Sequence, residues 1–438
     1  MVKHSVEHSE RVGQQRLDSY LDALASALGH ADREEPFRSY CIGLLLDGAR
    51  KSIEPMAARL DPERVQAKHQ SLHHFVAQAV WSDAALLEAV RRYVVPKIER
   101  HGPITAWIMD DTGIPKKGRH SVGVARQYCG QLGKQDNCQV AVTLSLANDR
   151  ASLPVAYRLY LPEAWAGDPE RRATAGIPQD IAFQTKPQIA LEQIRTAQAD
   201  GIPPGVVLAD AGYGADTAFR DGITALGLAY VVGIQSSASL WPPGQAPLPV
   251  KPWSGRGRPP TRVGRSAEHK PVSARDLAAG LPRNAWRRVT WRQGTNAPLA
   301  SRFAAVRVRP AHRDYKAATP RAEEWCLIEW PVGEAEPTKF WLSTLPANTS
   351  RTSLVRHAML RWRIERDYQE MKQEIGLGHY EGRGWRGFHH HATLCIAAYG
   401  FLIAERATIP PSAERHTSLI QTPAIPKTYR PRGAADPA

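Results

Sequence analysis

Cysteine is scarce in this chain of 438 residues, which contains only five. They are Cys41, Cys129, Cys138, Cys326 and Cys395, and no two of them form a C-x-x-C pair. An odd number of scattered cysteines argues against a disulfide framework and against a zinc site, so a zinc-finger regulator is excluded. The pattern fits a protein of the reducing cytoplasm.

Long apolar runs are also missing. The N-terminal twenty residues contain none, so we expect no signal peptide. The longest apolar stretch, residues 394–404, is too short and too interrupted to cross a membrane, and we expect no membrane association. The overall hydrophobic content of 42% is nevertheless enough for a real core.

Acidic residues are in deficit. The chain has 57 Lys and Arg against 43 Asp and Glu, which gives a net charge of +14. Such a balance favours a polyanionic partner, most commonly nucleic acid. A basic protein without a special partner would have the same balance, so charge alone leaves both readings open.

Hydrophobic periodicity predicts a helical start followed by a mixed α/β region. Residues 16–99 carry apolar residues at three- and four-residue spacing, with Asp83 as a plausible N-cap and Gly102 as a stop. ITAWIMDD then predicts a strand that closes on two acids. CQVAVTLSLAN and SLPVAYRLYLP predict a hairpin, and GVVLADAGYG another buried strand that ends in an acid. Alternating strands and helices indicate a mixed sheet.

The remaining sequence predicts a β-rich segment, a long helix from about residue 353 to 376, and a last apolar helix. The expected domains are a helical N-terminal domain (1–102), a core in two parts (103–235 and 346–407), a β-rich insertion between them (236–345) and a Pro-rich disordered tail (408–438). The insertion includes a loop rich in Pro, Gly and Arg.

Three acids are candidate metal ligands. Asp111 and Asp210 each follow an apolar strand, and ligands bind at strand ends in α/β folds. Glu365 falls on the late helix. Carboxylates are hard oxygen donors suited to Mg²⁺, and three of them could hold two ions. Each acid alone could equally be a turn or cap residue, so the argument depends on the set.

Two cations accompany the glutamate. Arg361, Glu365 and Lys372 are separated by four and seven residues, which places them on one face of a continuous helix. A carboxylate between two cations suits a metal ligand beside phosphate-binding groups. A salt-bridged surface helix would show the same spacing.

The segment RWRIERDYQEMK resembles the Y-x2-R-x3-E-x6-K signature of bacterial insertion-sequence DDE transposases. Arg361, Glu365 and Lys372 match, whereas Ala358 replaces the signature tyrosine, which puts a phosphate contact at that position in doubt. DDTGIPKKGRHSVGVARQYCGQLGKQDNCQVAV, VVLADAGYG and GLGHYEGRGWRGFHHH resemble one branch of the same group. The resemblance covers residues 16–407 in the right order.

This resemblance implies an RNase H-like core with a β-rich insertion before the glutamate. It implies a cut-and-paste DNA transposase that uses Asp111, Asp210 and Glu365, with two Mg²⁺ ions for which Mn²⁺ can substitute. Asp111 is preferred over Asp110 because the family's acid precedes a threonine, here Thr112. The implied partners are double-stranded DNA, as terminal inverted repeats and target, and a second copy of the chain in the DNA complex. No small-molecule substrate is expected, and the protein would be cytoplasmic and nucleoid-associated when bound.

Two other functions remain open. One is a metal-dependent DNA nuclease of the same fold without strand transfer. The other is an inactive, transposase-derived DNA-binding protein, against which the retention of all three acids argues.

Further residues are candidates for DNA contact. They comprise a basic loop beside the first acid, the RGRP sequence of the Pro/Gly/Arg-rich loop and an arginine near the last helix: Lys116, Lys117, Arg119, Arg126, Arg256, Arg258 and Arg383. RGRP is the core of a hook for the A·T minor groove, or a loop that only touches phosphate.

Phe340 or Trp341 is a candidate base-stacking residue, with core packing as the alternative. The tract of histidines at 389–391 is more typical of a structural or phosphate-contacting role than of a metal site.

Overall fold

The computed structural model describes residues 2–294 and 297–408. These residues form two compact units. Unit one contains residues 2–104, 110–193 and 363–408, and unit two contains residues 105–109, 194–294 and 297–362. The predicted Pro-rich tail lies outside the described residues, apart from its first position.

The described residues form a mixed α/β structure, as predicted. The strands are β1 (Ala106–Pro115), β2 (Ala125–Cys129), β3 (Lys134–Ala147), β4 (Ser152–Leu159), β5 (Val206–Ala209), β6 (Tyr230–Ile234), β7 (Ser239–Trp241), β8 (Val272–Ser273), β9 (Arg287–Gln293), β10 (Pro298–Pro310), β11 (Glu324–Trp330) and β12 (Lys339–Ser343). The α-helices are α1 (Val2–Ala25), α2 (Glu34–Leu45), α3 (Ile53–Leu60), α4 (Val65–Ala77), α5 (Asp83–Glu99), α6 (Glu163–Ala166), α7 (Pro169–Ala175), α8 (Lys186–Ala199), α9 (Ala211–Gly214), α10 (Thr217–Ala225), α11 (Ala274–Ala279), α12 (Arg351–Leu360), α13 (Trp362–Glu370) and α14 (Trp385–Thr408).

Unit one begins with five helices, which confirms the predicted helical N-terminal region. On α1 the residues Leu17, Tyr20, Leu21 and Leu24 recur at helical spacing and are all buried. The predicted N-cap of α5 was wrong by one residue. Ser82 caps the helix, because its hydroxyl accepts the N–H of Ala85 at 3.2 Å.

The strands of unit one are β2, β3, β4 and residues 110–115 of β1. β3 and β4 pair as the predicted antiparallel hairpin, from Ala141↔Leu159 to Ala147↔Ser152. β1 differs from the prediction, because it does not end at its acids but continues through them to Pro115. It continues because β3 lies beside it in the sheet, where the hydroxyl of Thr143 donates to the carbonyl of Asp110 at 3.0 Å.

Unit two contains a sheet in the order β1, β5, β6, β12, β11, β10, β7 and β8, with β9 on β10. Residues 106–108 of β1, with β5 and β6, are parallel neighbours. β12 then pairs antiparallel with β6, β11 pairs antiparallel with β12, and β10 pairs antiparallel with β11. The strands predicted as an insertion therefore continue the core sheet rather than forming a separate one.

The long helix predicted over residues 353–376 is divided. α12 ends at Leu360 with Arg361 as its C-cap, α13 follows, and Met371–Ile375 form a π-helical turn. Gly376 ends the turn with a left-handed φ of 83°, a conformation that favours glycine. Because the geometry changes twice, the rule of 100° per residue does not hold from Arg361 to Lys372.

The last helix, α14, is confirmed as predicted. It is apolar on all sides because it is buried along nearly its whole length, between helices of unit one and β4. In the described part of the chain, no helix is long and apolar enough to cross a membrane.

Candidate functional site

Asp111 lies in the middle of β1 and is half-buried. Its Oδ2 atom accepts a hydrogen bond from the ammonium group of Lys186 at 2.5 Å, so the two groups form an ion pair. The backbone N–H of Asp111 donates to Oδ1 of the preceding Asp110 at 2.9 Å. The Asp110 carboxylate thus accepts from the backbone of Asp111, whereas the Asp111 carboxylate is neutralised by a lysine from α8.

A second lysine lies within electrostatic range of these aspartates. Lys372, in the π-helical turn, is half-buried. Burial lowers the pKa of its ammonium group, whereas the carboxylates of Asp110 and Asp111 act to raise it. The aspartates thus lie in a positive environment, which is the combination expected where carboxylates hold metal ions and cations meet phosphate.

Glu365 lies on α13 and its side chain is exposed. The helix is anchored by Asp367, which is buried and accepts hydrogen bonds at Oδ1 from Ser152 Oγ (2.8 Å) and Tyr399 OH (3.0 Å). Two residues correspond to about 200° of helical rotation, so the anchored and the exposed carboxylate point in different directions. The anchoring role of Asp367 was not predicted from the sequence.

Asp210 belongs to unit two, where it follows β5 directly and caps α9. Its Oδ1 accepts the N–H groups of Gly212 (2.8 Å) and Tyr213 (3.3 Å). Gly214 lies against β6 so closely that a Cβ there would meet the carbonyl oxygen of Gly233 at 1.9 Å. The DAGYG sequence therefore forms a tight turn that fixes Asp210 at the strand end. The cap uses Oδ1 and does not involve Oδ2.

The chemistry of these donors suits a hard divalent cation. Asp111, Asp210 and Glu365 all offer carboxylate oxygens, and Oδ2 of Asp111 already has a cationic partner in Lys186. Across residues 2–294 and 297–408, no three His, Cys, Asp or Glu side chains are grouped so that they could hold a metal ion. The predicted convergence of the three acids stays a prediction.

The basic loop predicted beside Asp111 divides into two kinds of residue. Lys116 donates to the carbonyl of Tyr380 at 2.6 Å, and burial lowers the pKa of its ammonium group. Lys117, Arg119 and Arg126 are exposed. Lys116 is thus engaged in the fold, whereas DNA contact by the other three stays a prediction.

Arg361 and Arg383 are placed differently. Arg361, at the end of α12 in unit two, is half-buried, and Ala358 on the same helix is buried. Arg383 is exposed just before α14 in unit one. DNA contact by either arginine is untested.

The candidate base-stacking residues are buried. Phe340 and Trp341 lie on β12 with only 3% and 9% of their surface exposed, and their strand is paired on both sides. Their burial agrees with core packing, which was the alternative to a base-stacking role. A base could not stack on either ring without displacing its neighbours.

The histidine tract is structural. His390 stacks on Trp81 with ring centroids 3.7 Å apart, and Nε2 of His389 accepts the backbone N–H of Leu159 at 3.2 Å. Burial lowers the pKa of each of the three imidazoles to about 4. Because both nitrogens of each ring already have partners within the protein, the tract does not offer free metal ligands.

Arg256 and Arg258 lie in a loop, residues 251–262, that is exposed along its whole length. Trp253 in this loop is 55% exposed, and its indole N–H donates to the carbonyl of Gly257 at 3.1 Å. Gly255 and Gly257 have left-handed φ angles of 80° and 70°, which lets the loop turn back on itself. The loop thus presents an aromatic ring and two guanidinium groups to solvent.

Sequence reasoning missed Lys186 as a site residue. The sequence contained one indication of it, because a lysine stands in the first turn of α8, where the helix dipole favours an acid. Its pairing with Asp111, 75 positions away, is a tertiary contact that hydrophobic periodicity cannot predict.

Comparison with known proteins confirms the resemblance predicted from the sequence. Residues 23–298 match the family described as DDE superfamily endonuclease, a range that includes Asp111 and Asp210 but not Glu365. The chain is also 31% identical over 222 residues to a protein of Microchaete diplosiphon described as a probable transposase for insertion sequence element IS701. This match covers 50% of the chain and 54% of that relative, about half of each. The mixed sheet with flanking helices agrees with an RNase H-like core. Because the family match covers more than half of its residues, the chain belongs to the DDE superfamily of endonucleases.

Proposed function

We propose that this protein is the transposase of an insertion sequence, which binds the terminal inverted repeats of its element, cleaves the DNA strands and joins them to a target. Family membership and the similarity to a probable transposase support the proposal. The observation that carries it is the setting of Asp111. Its half-buried carboxylate is paired with Lys186 and interacts electrostatically with Lys372. Such a site can attract both a metal ion and a phosphate.

Asp111, Asp210 and Glu365 would hold the divalent ions, Mg²⁺ or in its place Mn²⁺, because both accept oxygen ligands. When bound, two such ions activate the attacking oxygen and stabilise the leaving oxygen of a phosphodiester. In this proposal no side chain of the protein becomes a covalent nucleophile. Asp210 would coordinate through Oδ2, since Oδ1 is occupied by the cap of α9.

Lys372 would bind a phosphate oxygen of the DNA strand at the site. Its ammonium group is half-buried, which strengthens its interaction with an anion relative to a fully exposed lysine. Arg361 would contribute a further phosphate contact, as the family signature implies.

A second DNA contact is proposed for the loop of residues 251–262. No acid occurs between Asp221 and Glu268, whereas Lys251, Arg256, Arg258, Arg262 and Arg265 fall in this stretch. Arg265 is paired with Asp314, but within the described residues Arg256 and Arg258 form no ion pair. These free guanidinium groups beside an exposed tryptophan suit the phosphates of a duplex. Further DNA contacts would come from Lys117, Arg119, Arg126 and Arg383. A second copy of the chain would join the DNA complex.

The test is an excision assay. The purified protein is incubated in Mg²⁺ with a plasmid that carries a marker between the DNA ends flanking the gene, together with a target plasmid. A transposase releases the marker segment and joins it to the target. Cleavage without joining would instead indicate a nuclease of the same family, and binding without cleavage an inactive DNA-binding protein.

A further inference from the structure

Lys186 is held at a fixed position beside Asp111. It begins α8, and the residues around it form a reciprocal cap: Gln188 Oε1 accepts the N–H of Thr185 at 2.8 Å, and Thr185 Oγ1 accepts the N–H of Gln188 at 3.4 Å. This cap fixes the backbone from which the lysine side chain extends. The ammonium group then meets Oδ2 of Asp111 and lies 5.7 Å from the centre of the Tyr160 ring.

The position is unfavourable for a lysine on local grounds. Cations in the first turn of a helix oppose the helix dipole and destabilise the helix. Either an acid or a neutral residue would suit the helix better. What the lysine gains there is its contact with Asp111, so the pair explains why a cation occupies this position.

We infer that Lys186 is a positioning residue of the site, which occupies the place of a metal ion at Asp111 until the metal arrives. The inference rests on the proposed function, because it takes Asp111 as a metal ligand. In the metal-free protein the ammonium group neutralises Oδ2 and holds the carboxylate in place. If a divalent ion were held by the same oxygen, the Lys186 ammonium group would leave Asp111 and would pair with a phosphate of the bound DNA.

The inference predicts competition between Lys186 and the metal. Removing the positive charge should make Asp111 a better metal ligand when no DNA is present, because the ion no longer displaces a cation. The pair is partly exposed, with side-chain exposures of 29% for Lys186 and 31% for Asp111. We therefore expect a tightening of about two- to fivefold, as for a partly screened ion pair.

The experiment measures Mn²⁺ binding to the full-length protein without DNA, from the signal of free Mn²⁺ in electron paramagnetic resonance. The variants are Lys186→Met, which keeps the length of the side chain, and Lys186→Arg, which keeps the charge. Lys186→Gln serves if the methionine variant does not fold by thermal melting. Lys134→Met is the matched control, since it removes another lysine that pairs with an aspartate of unit one.

We expect Lys186→Met to bind Mn²⁺ about two- to fivefold more tightly, and Lys186→Arg and Lys134→Met to bind it like the wild type. We also expect Lys186→Met, but not Lys186→Arg, to bind DNA more weakly when Mn²⁺ is present. Unchanged Mn²⁺ affinity in Lys186→Met, with Mn²⁺ binding abolished in Asp111→Asn, would overturn the inference alone. Unchanged Mn²⁺ affinity in Asp111→Asn would overturn the metal site of the proposed function itself.

Discussion

The hydroxyl group of Tyr40, on α2, lies 2.9 Å from Nδ1 of His391, on α14. Nε2 of the same ring lies 3.2 Å from the carbonyl oxygen of Gly376, which can only accept. The N–H of the imidazole is therefore on Nε2, and Nδ1 accepts the tyrosine hydroxyl. This arrangement needs a neutral ring, and burial lowers the pKa of His391 to about 4.

The neutral His391 predicts a loss of stability in acid. An unfolded chain takes up a proton near pH 6.5, whereas the folded chain does so only near pH 4. The contribution of His391 is thus fully present above pH 6.5 and is lost as the pH falls through 4. We expect the free energy of unfolding to fall by about 1–3 kcal/mol per such histidine over this range.

Thermal melting between pH 4.5 and 8 tests this point with His391→Gln and, as control, the exposed His74→Gln. His391→Gln should melt lower than the wild type at pH 8 but lose less stability towards pH 4.5. His74→Gln should follow the wild type. Parallel curves for all three proteins would contradict the assignment of a buried neutral ring.

Lys372 provides a prediction about catalysis. Lys372→Met should reduce DNA cleavage in Mg²⁺ by at least about tenfold, because removal of a charge-assisted hydrogen bond to phosphate costs about 1.5–3 kcal/mol. Lys372→Arg should retain part of the activity. Melting should change little in either variant, and Gln373→Ala, an exposed neighbour, should cleave like the wild type. Wild-type cleavage by Lys372→Met would show that the ammonium group does not meet the DNA.

The loop of residues 251–262 gives a prediction about binding. Arg256→Ala with Arg258→Ala should weaken DNA binding and reduce the slope of log K against log salt concentration by about 2, one for each phosphate that is no longer neutralised. The weakening should be similar for different sequences, and the paired substitutions Arg256→Lys and Arg258→Lys should restore the slope. Weakening confined to A·T-rich DNA would show that the arginines enter the minor groove instead.

Ala358 occupies the position of the family's signature tyrosine and is buried on α12. Ala358→Tyr should therefore destabilise the protein by about 1–3 kcal/mol through overpacking, rather than supply a phosphate contact. The measurement is thermal melting, with Thr352→Tyr on the exposed side of the same helix as control. A wild-type melting temperature together with higher excision would mean that the hydroxyl reaches the DNA after all.

Regular periodicity made much of the fold predictable. The β3–β4 hairpin, the strand before Asp210 and the helical N-terminal region follow from local patterns of apolar residues. These patterns exist because apolar residues recur on the buried side with the period of the strand or helix. The continuation of β1 past Asp111 could not be read in the same way. It depends on the neighbouring strand β3, whose pairing is not encoded in the ITAWIMDD sequence itself.

The late helix shows a second limit of prediction from sequence. RWRIERDYQEMK has helical spacing throughout, yet the chain breaks at Arg361 and forms a π-helical turn at Met371–Ile375. Apolar spacing indicates a helix but does not distinguish an α-helical from a π-helical turn, so the sequence does not reveal the change. The contacts of Asp367 with Ser152 and Tyr399, and of Lys186 with Asp111, likewise depend on residues far apart in the chain.

In the proposed function, Asp111, Asp210 and Glu365 act together in metal-dependent DNA cleavage. The most direct test is cleavage of the element's ends in Mg²⁺ by Asp111→Asn, Asp210→Asn and Glu365→Gln, beside Asp110→Asn and the exposed Glu374→Gln. We predict that the first three bind the ends with affinity close to that of the wild type, since binding depends mainly on Lys and Arg, and leave them uncut in Mg²⁺ and in Mn²⁺. Glu374→Gln should cut normally, and Asp110→Asn should retain cleavage. Normal cleavage by any one of the first three variants would contradict the claim for that residue.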